Sequence, residues 1–168
     1  YLNALGKSFR AFLNGELDVI MGEKPLLSDW ADHLTTIFTE VRLKNFIEMR
    51  GADGGPWSSI CALPAFWVGL MYSSSSLDAA LDLTKDWTEL DRENLLRDIS
   101  KIGLEAEIRG VSVLEVCRMT LEISKKGLKD RLIPNSSGGR IDETHFLEPL
   151  FEIVENRKTL SDILIENY

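Results

Sequence analysis

Residues 41–50 constrain the fold most, because they form the one convincing β-strand pattern in a chain that otherwise shows helical periodicity. Along Val-Arg-Leu-Lys-Asn-Phe-Ile-Glu-Met-Arg, successive side chains point to opposite faces of a strand. One face is apolar apart from Asn45. The other face carries Phe46 and four charged side chains, namely Arg42, Lys44, Glu48 and Arg50. Since a lone strand is not stable by itself, we expect its partner strands to lie upstream of this chain or in another chain.

The charged face of this strand has two interpretations. Three cations and one carboxylate in a row, followed at once by the glycine-rich residues 51–55, suit a site for an anionic substrate and a metal ion. Mixed charges are also typical of the solvated outer face of an antiparallel sheet. The alternation by itself favours the solvated face, because short motifs often match by chance.

Length and composition narrow the class of protein. The chain has 168 residues, enough for one domain with a hydrophobic core, and a net charge of −8. The acidic balance argues against nucleic acid as the principal partner. Cys61 and Cys117 form no CxxC or Cys/His cluster, which argues against a zinc site and favours reduced thiols in a cytoplasmic protein. We find no apolar run long enough to span a membrane.

Helical periodicity predicts roughly seven helices that form one helix-rich unit over residues 1–168. One apolar helix is predicted over 56–71, with Pro64 kinking it or dividing it in two, and an amphipathic helix over 111–126 is expected to end or be interrupted at Gly127. Residues 134–139, Pro-Asn-Ser-Ser-Gly-Gly, predict a loop. Because the chain starts inside a helical pattern without a methionine, we expect it to be a fragment whose N-terminal part lies upstream.

Several linked motifs around the predicted strand point to one enzyme family. They are Trp-Ala-Asp-His-Leu-Thr-Thr-Ile-Phe at 30–38, Glu-Val-Arg-Leu-Lys at 40–44, Glu-Met-Arg-Gly-Ala-Asp-Gly-Gly-Pro-Trp at 48–57, and Cys-Ala-Leu-Pro-Ala-Phe-Trp-Val-Gly at 61–69. Together they closely resemble glutamate–cysteine ligase, in the branch found in proteobacteria and plants. The match is dense from about Ser8 to Tyr72 and continues more loosely to the end of the chain.

This resemblance implies a fold similar to that of glutamine synthetase, in which an antiparallel sheet forms a funnel lined by the active site. Glutamine synthetase has a late strand with the pattern Glu-x-Arg, a short turn with an aspartate, and then an apolar helix. The same order occurs here at 48–50, 51–53 and 63–72. We therefore expect an α+β, helix-rich C-terminal fragment of a carboxylate–amine ligase fold. Its active-site segment would be about 28–72, with a helical scaffold at 73–168.

The resemblance also implies roles for individual residues. Glu48 would be a magnesium ligand, and Arg50 would contact the transferred phosphoryl group or the substrate carboxylate. Arg42 and Lys44 share the face of Glu48 and would neutralise charge beside it. The candidate substrate-binding residues are Arg50, Gly51, Asp53 and Trp57. Asp53 is alternatively expected to order the glycine turn as an Asx turn, and Trp57 to pack in the core.

The implied reaction is the ATP-dependent ligation of the γ-carboxylate of L-glutamate to L-cysteine, the first step of glutathione biosynthesis. It would proceed through γ-glutamyl phosphate, with Mg²⁺ as cofactor and ATP as co-substrate. Most of the ATP site and the remaining metal ligands would lie in the missing N-terminal part of the chain, so we expect the 168 residues alone to be inactive. Two alternatives stay open: another carboxylate–amine ligase with a different amine acceptor, and a non-catalytic helical interaction module.

Overall fold

A computed structural model describes residues 2–131, 133–134 and 138–168. Within these ranges the protein has eight α-helices and three two-stranded antiparallel sheets, so the predicted helix-rich α+β class is confirmed and the helix number exceeds the predicted seven by one. The chain packs as two compact units, residues 1–52 and 53–168, which we describe separately. The prediction of one helix-rich unit over 1–168 stays a prediction, because the two compact units are defined only by the packing within each of them.

The first unit contains two short helices and one β-hairpin. Helix α1 spans Phe9–Asn14 and begins where the Ser8 hydroxyl accepts a hydrogen bond from a backbone N–H of the first turn. Helix α2 spans Leu27–Thr35. Strands β1 (Val41–Leu43) and β2 (Ile47–Met49) follow. Among the described residues of this unit only Leu17 is buried, so the unit has almost no core of its own.

The predicted single strand at 41–50 is wrong: the segment is a hairpin. Val41 pairs with Met49, and Leu43 pairs with Ile47, in antiparallel register. The Lys44 N–H donates to the Phe46 carbonyl at 2.9 Å and closes the turn. Strict alternation misses this turn because a two-stranded ribbon with a short connection keeps the same side-chain period on both arms. Strand β1 therefore pairs with a strand of the same chain, and only three residues separate the two strands.

The described part of the second unit contains six α-helices. They are α3 (Trp57–Met71), α4 (Ser74–Thr84), α5 (Glu89–Ile102), α6 (Val113–Arg131), α7 (Glu148–Asn156) and α8 (Leu160–Asn167). The short strands β3 (Glu107–Ile108), β4 (Val111–Ser112), β5 (Ile133–Pro134) and β6 (Arg140–Ile141) form two small hairpins, β3 with β4 and β5 with β6. The predicted loop at 134–139 is flanked by β5 and β6, and its residues 135–137 lie outside the described residues.

Helix α6 continues through Gly127 to Arg131, contrary to the predicted end at Gly127. The glycine is needed for a close crossing with α3, not for a helix end. A Cβ built on Gly127 would overlap the carbonyl oxygen of Gly69 and lie 2.8 Å from the Ser76 hydroxyl. Helix α3 in turn runs unbroken through Pro64. Sequence pattern alone does not separate a helix-ending glycine from one that admits a neighbouring helix.

The core of the second unit lies between α3, α6 and α7. Its two clusters are centred on Leu128 with Leu147, and on Leu121 with Val154, and Phe66 packs against both. Burial of such apolar side chains supplies most of the folding free energy of a domain. Along the described residues, no single helix has both the length and the apolar character to cross a bilayer. Helices α3 and α4 have that length and composition only when taken together, and they are bent by 92° where they meet.

Candidate functional site

The charged face of the β1–β2 hairpin brings two predicted site residues into direct contact. Arg42 and Glu48 are register partners, and the Arg42 Nε donates to the Glu48 Oε2 at 2.7 Å. This hydrogen bond lowers the pKa of the Glu48 carboxyl below its ordinary value near 4.5. Partial loss of solvent raises the pKa and so opposes this shift, whereas the positive charges of Arg42, Lys44 and Arg50 lower the pKa further. Glu48 is therefore ionised at neutral pH.

Arg50 lies directly after β2 and is held by its backbone and by an aromatic ring. Its N–H donates to the Glu40 carbonyl at 2.8 Å, and its guanidinium lies over the Phe38 ring, 5.3 Å from the centroid. The Nη1 of Arg50 is shielded from solvent and has no hydrogen-bond partner among the described residues. A partly exposed guanidinium with an unsatisfied nitrogen is suited to an anionic ligand.

Glu40 joins this face, and the single-strand prediction missed it. The backbone bond from Arg50 to Glu40 extends the ladder by one position, so Glu40 stands opposite Arg50 as Arg42 stands opposite Glu48. The Glu40 carboxylate lies against Gly51: a Cβ built there would overlap its Oε2 and lie 3.3 Å from its Cδ. The sequence does contain the signal, since Glu40 has the same parity as Arg42, but Glu40 lies one residue before the predicted strand.

The charged face is the more buried face of the hairpin. Arg42, Glu48 and Arg50 are half-buried, whereas on the apolar face Leu43 is 82% exposed and Ile47 62% exposed. A solvated outer face would have the opposite arrangement, with charges outermost and apolar side chains covered. Lys44 lies at the tip of the hairpin, with its Nζ 5.7 Å from the Phe46 ring centroid. We call the set Glu40, Arg42, Glu48 and Arg50 the charged hairpin face.

Two other predicted site residues belong to the second unit. Asp53 is exposed and makes no hydrogen bond to any described residue, so the expected Asx turn is not observed. Trp57 begins α3 and is 77% exposed, so core packing within this chain is not its role. A cavity of about 450 Å³ in this unit is lined by the start of α3 with α7 and α8, and none of the predicted site residues lines it.

His33 lies on α2 and packs through its imidazole ring against the aromatic side chains of the first unit. Its imidazole stacks on Phe9 with centroids 4.1 Å apart and an interplanar angle of 11°. Trp30 completes this aromatic cluster in the first unit, 5.5 Å from Phe9. Stacking of this kind accounts for the position of His33 without any catalytic function.

The carboxylates of the described residues do not form a complete metal cage. No group of three or more His, Cys, Asp or Glu side chains in the described ranges is arranged to hold a metal ion. The charged hairpin face offers two carboxylates, Glu48 and Glu40, beside two guanidiniums. Such a set can hold an anionic ligand and share a metal ion with it, because Mg²⁺ takes one or two protein carboxylates together with phosphate oxygens.

Comparison with known proteins agrees with the motifs. A family model described as Glutamate-cysteine ligase family 2 (GCS2) matches residues 6–167. The chain is 45% identical over all of its 168 residues to the chloroplastic glutamate–cysteine ligases of Solanum lycopersicum and Arabidopsis thaliana. It is 44% identical to the chloroplastic glutamate–cysteine ligase B of Oryza sativa subsp. japonica. In each case the match covers 31% or 32% of the relative, so the chain spans about a third of their length.

The predicted cytoplasmic location is contradicted by this comparison. All three of these relatives are named chloroplastic. The prediction was wrong because it used only the cysteine pattern and the absence of a long apolar run, and neither separates the cytoplasm from a plastid.

Proposed function

This chain belongs to glutamate–cysteine ligase family 2, and we propose that the complete protein joins L-glutamate to L-cysteine in an ATP-dependent reaction. The γ-phosphoryl group of ATP would pass to the γ-carboxylate of glutamate, giving γ-glutamyl phosphate and ADP. The cysteine amine would then attack the acyl carbon, form the amide, lose a proton and expel phosphate. This would be the first step of glutathione biosynthesis. The matched relatives, which carry this ligase name, support the proposal.

The observation that carries the proposal is the charged hairpin face. Glu48 is ionised and held by Arg42, and Arg50 has an unsatisfied guanidinium nitrogen beside it on the same face. Transfer of a phosphoryl group depends mainly on positioning and on neutralising charge, which cationic side chains around the moving group provide. The half-burial of these charges favours such a role, because charge interactions are stronger away from bulk water.

We propose Glu48 as a ligand of Mg²⁺. Its lone pairs fit the hard-oxygen preference of this ion, and Arg42 occupies only one of its oxygens. When bound, Mg²⁺ would neutralise charge on the phosphate oxygens. Arg42 would hold the Glu48 carboxylate in one orientation, and Lys44 and Arg50 would face the negative charge of the substrates. Gly51, Asp53 and Trp57 are proposed to contact substrate.

The fold of the complete catalytic domain is proposed to resemble that of glutamine synthetase. The order of hairpin, glycine turn and apolar helix supports this, because that fold places a Glu-x-Arg strand and an aspartate turn before an apolar helix. In such a domain the β1–β2 hairpin would be one part of a larger antiparallel sheet. The exposed apolar side chains of the hairpin, Leu43 and Ile47, are then expected to be covered by other parts of the complete protein.

The proposal is tested by incubating the complete protein with ATP, Mg²⁺, L-glutamate and a panel of amines. We expect γ-glutamylcysteine and one ADP per peptide bond, with cysteine the preferred acceptor. A strong preference for another amine would replace this substrate assignment by a different carboxylate–amine ligase.

The residue assignments are tested by Glu48→Gln and Arg50→Ala. Each is expected to lower kcat at least 100-fold, since removal of one group that stabilises a transition state typically costs that much. Glu23→Gln, an exposed carboxylate in the same unit, is the matched control and should leave turnover unchanged. Unaffected turnover in both site variants would favour a non-catalytic interaction module.

Residues 1–168 alone are proposed to be inactive, since the chain covers about a third of its relatives. The isolated chain should release no phosphate in the presence of ATP and glutamate. Release above the rate of a heat-denatured sample would contradict this.

A further inference from the structure

Helix α8 is held in place although it has no part in the hydrophobic core. All eight of its residues, Leu160–Asn167, are exposed. The Lys158 N–H donates to the Ile153 carbonyl of α7 at 3.2 Å, and the Lys158 Nζ donates to both carboxylate oxygens of Glu166 at 2.7 Å. These bonds tie the last turn of α8 to the short connection that follows α7. Burial in the core therefore does not account for the position of this helix.

Helix α8 reaches the start of α3 through its first residue. A Cβ built on Gly55 would lie 3.8 Å from the Leu160 Cδ1 and 3.1 Å from the Ser59 Cβ. Leu160 and Ile163 also line the cavity of about 450 Å³, together with Pro56. Gly55, at the end of the glycine turn, therefore lies against both the first turn of α3 and the first residue of α8.

The start of α3 lacks the side-chain cap that fixes other helix starts in this unit. Pro56 is the N-cap residue of α3 and makes no side-chain hydrogen bond to the first turn, whereas Thr88 caps α5 and Thr159 caps α8. Trp57, the first residue of α3, is 77% exposed, so its own packing does not fix it either. The position of Trp57 therefore depends on the packing around Gly55.

We propose that Leu160 is a positioning residue, through which α8 holds the glycine turn and Trp57 in place for the substrate. This inference rests on the proposed function, which assigns Trp57 a contact with substrate. Loss of the Leu160 side chain would leave the start of α3 free to shift, and a misplacement of about 1 Å can cost on the order of 100-fold in rate. Because α8 is not part of the core, the loss should appear in kcat/KM and not in the unfolding midpoint.

The first test is amide hydrogen exchange in the complete protein, followed by mass spectrometry. The Ile60 N–H bonds to the Pro56 carbonyl at 3.1 Å and so reports on the first turn of α3. Leu160→Ala should speed exchange at residues 60–62 about 10-fold and leave exchange in α6 unchanged, since separate regions open independently. Ile165→Ala, at a residue of the same helix that is 77% exposed, is the matched control and should change neither. Unchanged exchange at 60–62 in Leu160→Ala would overturn the inference.

The second test is a kinetic double-mutant cycle between Leu160 and Trp57. Leu160→Ala should lower kcat/KM about 10-fold by itself, but less than about 2-fold when Trp57→Ala is already present, because the two side chains would act through one position. Leu160→Met conserves volume and should keep nearly full kcat/KM. Additive losses, or an equal loss in Leu160→Met, would overturn the inference. Failure of the wild-type protein to form γ-glutamylcysteine would instead refute the proposed function, since hydrogen exchange does not depend on turnover.

Discussion

The charged hairpin face and the α3–α6 crossing use polar groups in opposite ways. In the hairpin the charged side chains are at least partly exposed, and within the described residues neither Glu40 nor Arg50 has an ion-pair partner. At the crossing, the buried hydroxyl of Ser124 donates to the Phe66 carbonyl at 2.9 Å, and next to it the buried hydroxyl of Ser76, on α4, donates to the Ile123 carbonyl of α6 at 3.0 Å. The hairpin therefore leaves charged groups available to bind a ligand, whereas the serine hydroxyls at the crossing use their hydrogen bonds to hold helices together.

Function and stability are therefore expected to depend on different regions of the molecule. Among the residues that the structure describes, the first unit contributes one buried residue, and the buried clusters lie in the second unit. Substitutions on the charged hairpin face should therefore change chemistry with little effect on unfolding. Substitutions at the crossing should do the reverse.

The largest expected effect is that of Arg42→Ala on turnover. Loss of the guanidinium frees Glu48 to rotate and removes a positive charge from the face, so kcat of the complete protein should fall at least 100-fold. The unfolding midpoint should hardly change, because partly exposed ion pairs contribute little to stability. Steady-state kinetics and thermal unfolding are measured on the same sample, with the exposed Arg92→Ala as control. A fall in the unfolding midpoint large enough to account for the lost activity would contradict the expectation that this substitution affects turnover and not stability.

Gly127→Ala is expected to cause the largest loss of stability. Its Cβ would overlap the Gly69 carbonyl oxygen and meet the Gly69 carbonyl carbon at 2.8 Å, and backbone atoms cannot move aside as a side chain can. The two helices must separate, which should lower the free energy of unfolding by about 3 kcal/mol or more. Denaturant titration measures this. Gly54→Ala, where a Cβ meets nothing within 4 Å, should be close to neutral. A near-neutral Gly127→Ala would show that the crossing is looser than described.

The two regions also differ in how well the sequence predicts them. The bounds of helix α3 follow closely from its apolar pattern, since the prediction over 56–71 matches the observed Trp57–Met71 and the signal is local. The hairpin and the continuation of α6 through Gly127 do not, because each depends on what a residue meets in space. The same alternation fits one strand or two arms, and the same glycine fits a helix end or a helix contact.

The candidate site was predicted in the same uneven way. Linked motifs identified Arg42, Glu48 and Arg50 as site residues, and the hairpin brings these three together. Glu40 was missed because its place on the face depends on the antiparallel register, which pairs it with Arg50. The residue types therefore indicate the chemistry of the site, whereas the pairing of each residue with its partner can be read only from the folded structure.

Ser124→Ala sharpens the account of the crossing with an intermediate effect. The hydroxyl is fully buried and bonds across to α3, so its removal should lower the free energy of unfolding by about 1 kcal/mol. Ser161→Ala, at an exposed position of α8, is the matched control. Equal effects of the two substitutions would mean that the Ser124 hydrogen bond adds no more to the free energy of unfolding than an exposed serine does.

The smallest expected effect is the pH dependence of the α5 cap. The Thr88 N–H and hydroxyl bond to the Asp91 carboxylate and hold its pKa below the ordinary 3.8. A lowered folded pKa means that the carboxylate stabilises the folded state fully above the ordinary pKa and loses this contribution as the pH falls through the folded value. Wild type should therefore unfold at a slightly higher temperature than Asp91→Asn at pH 7. The difference should persist to about pH 4, near the ordinary aspartate value, and should shrink at lower pH. A difference that grows on acidification would show that the cap stabilises through the protonated carboxyl, and the charge-based account of this helix end would then be wrong.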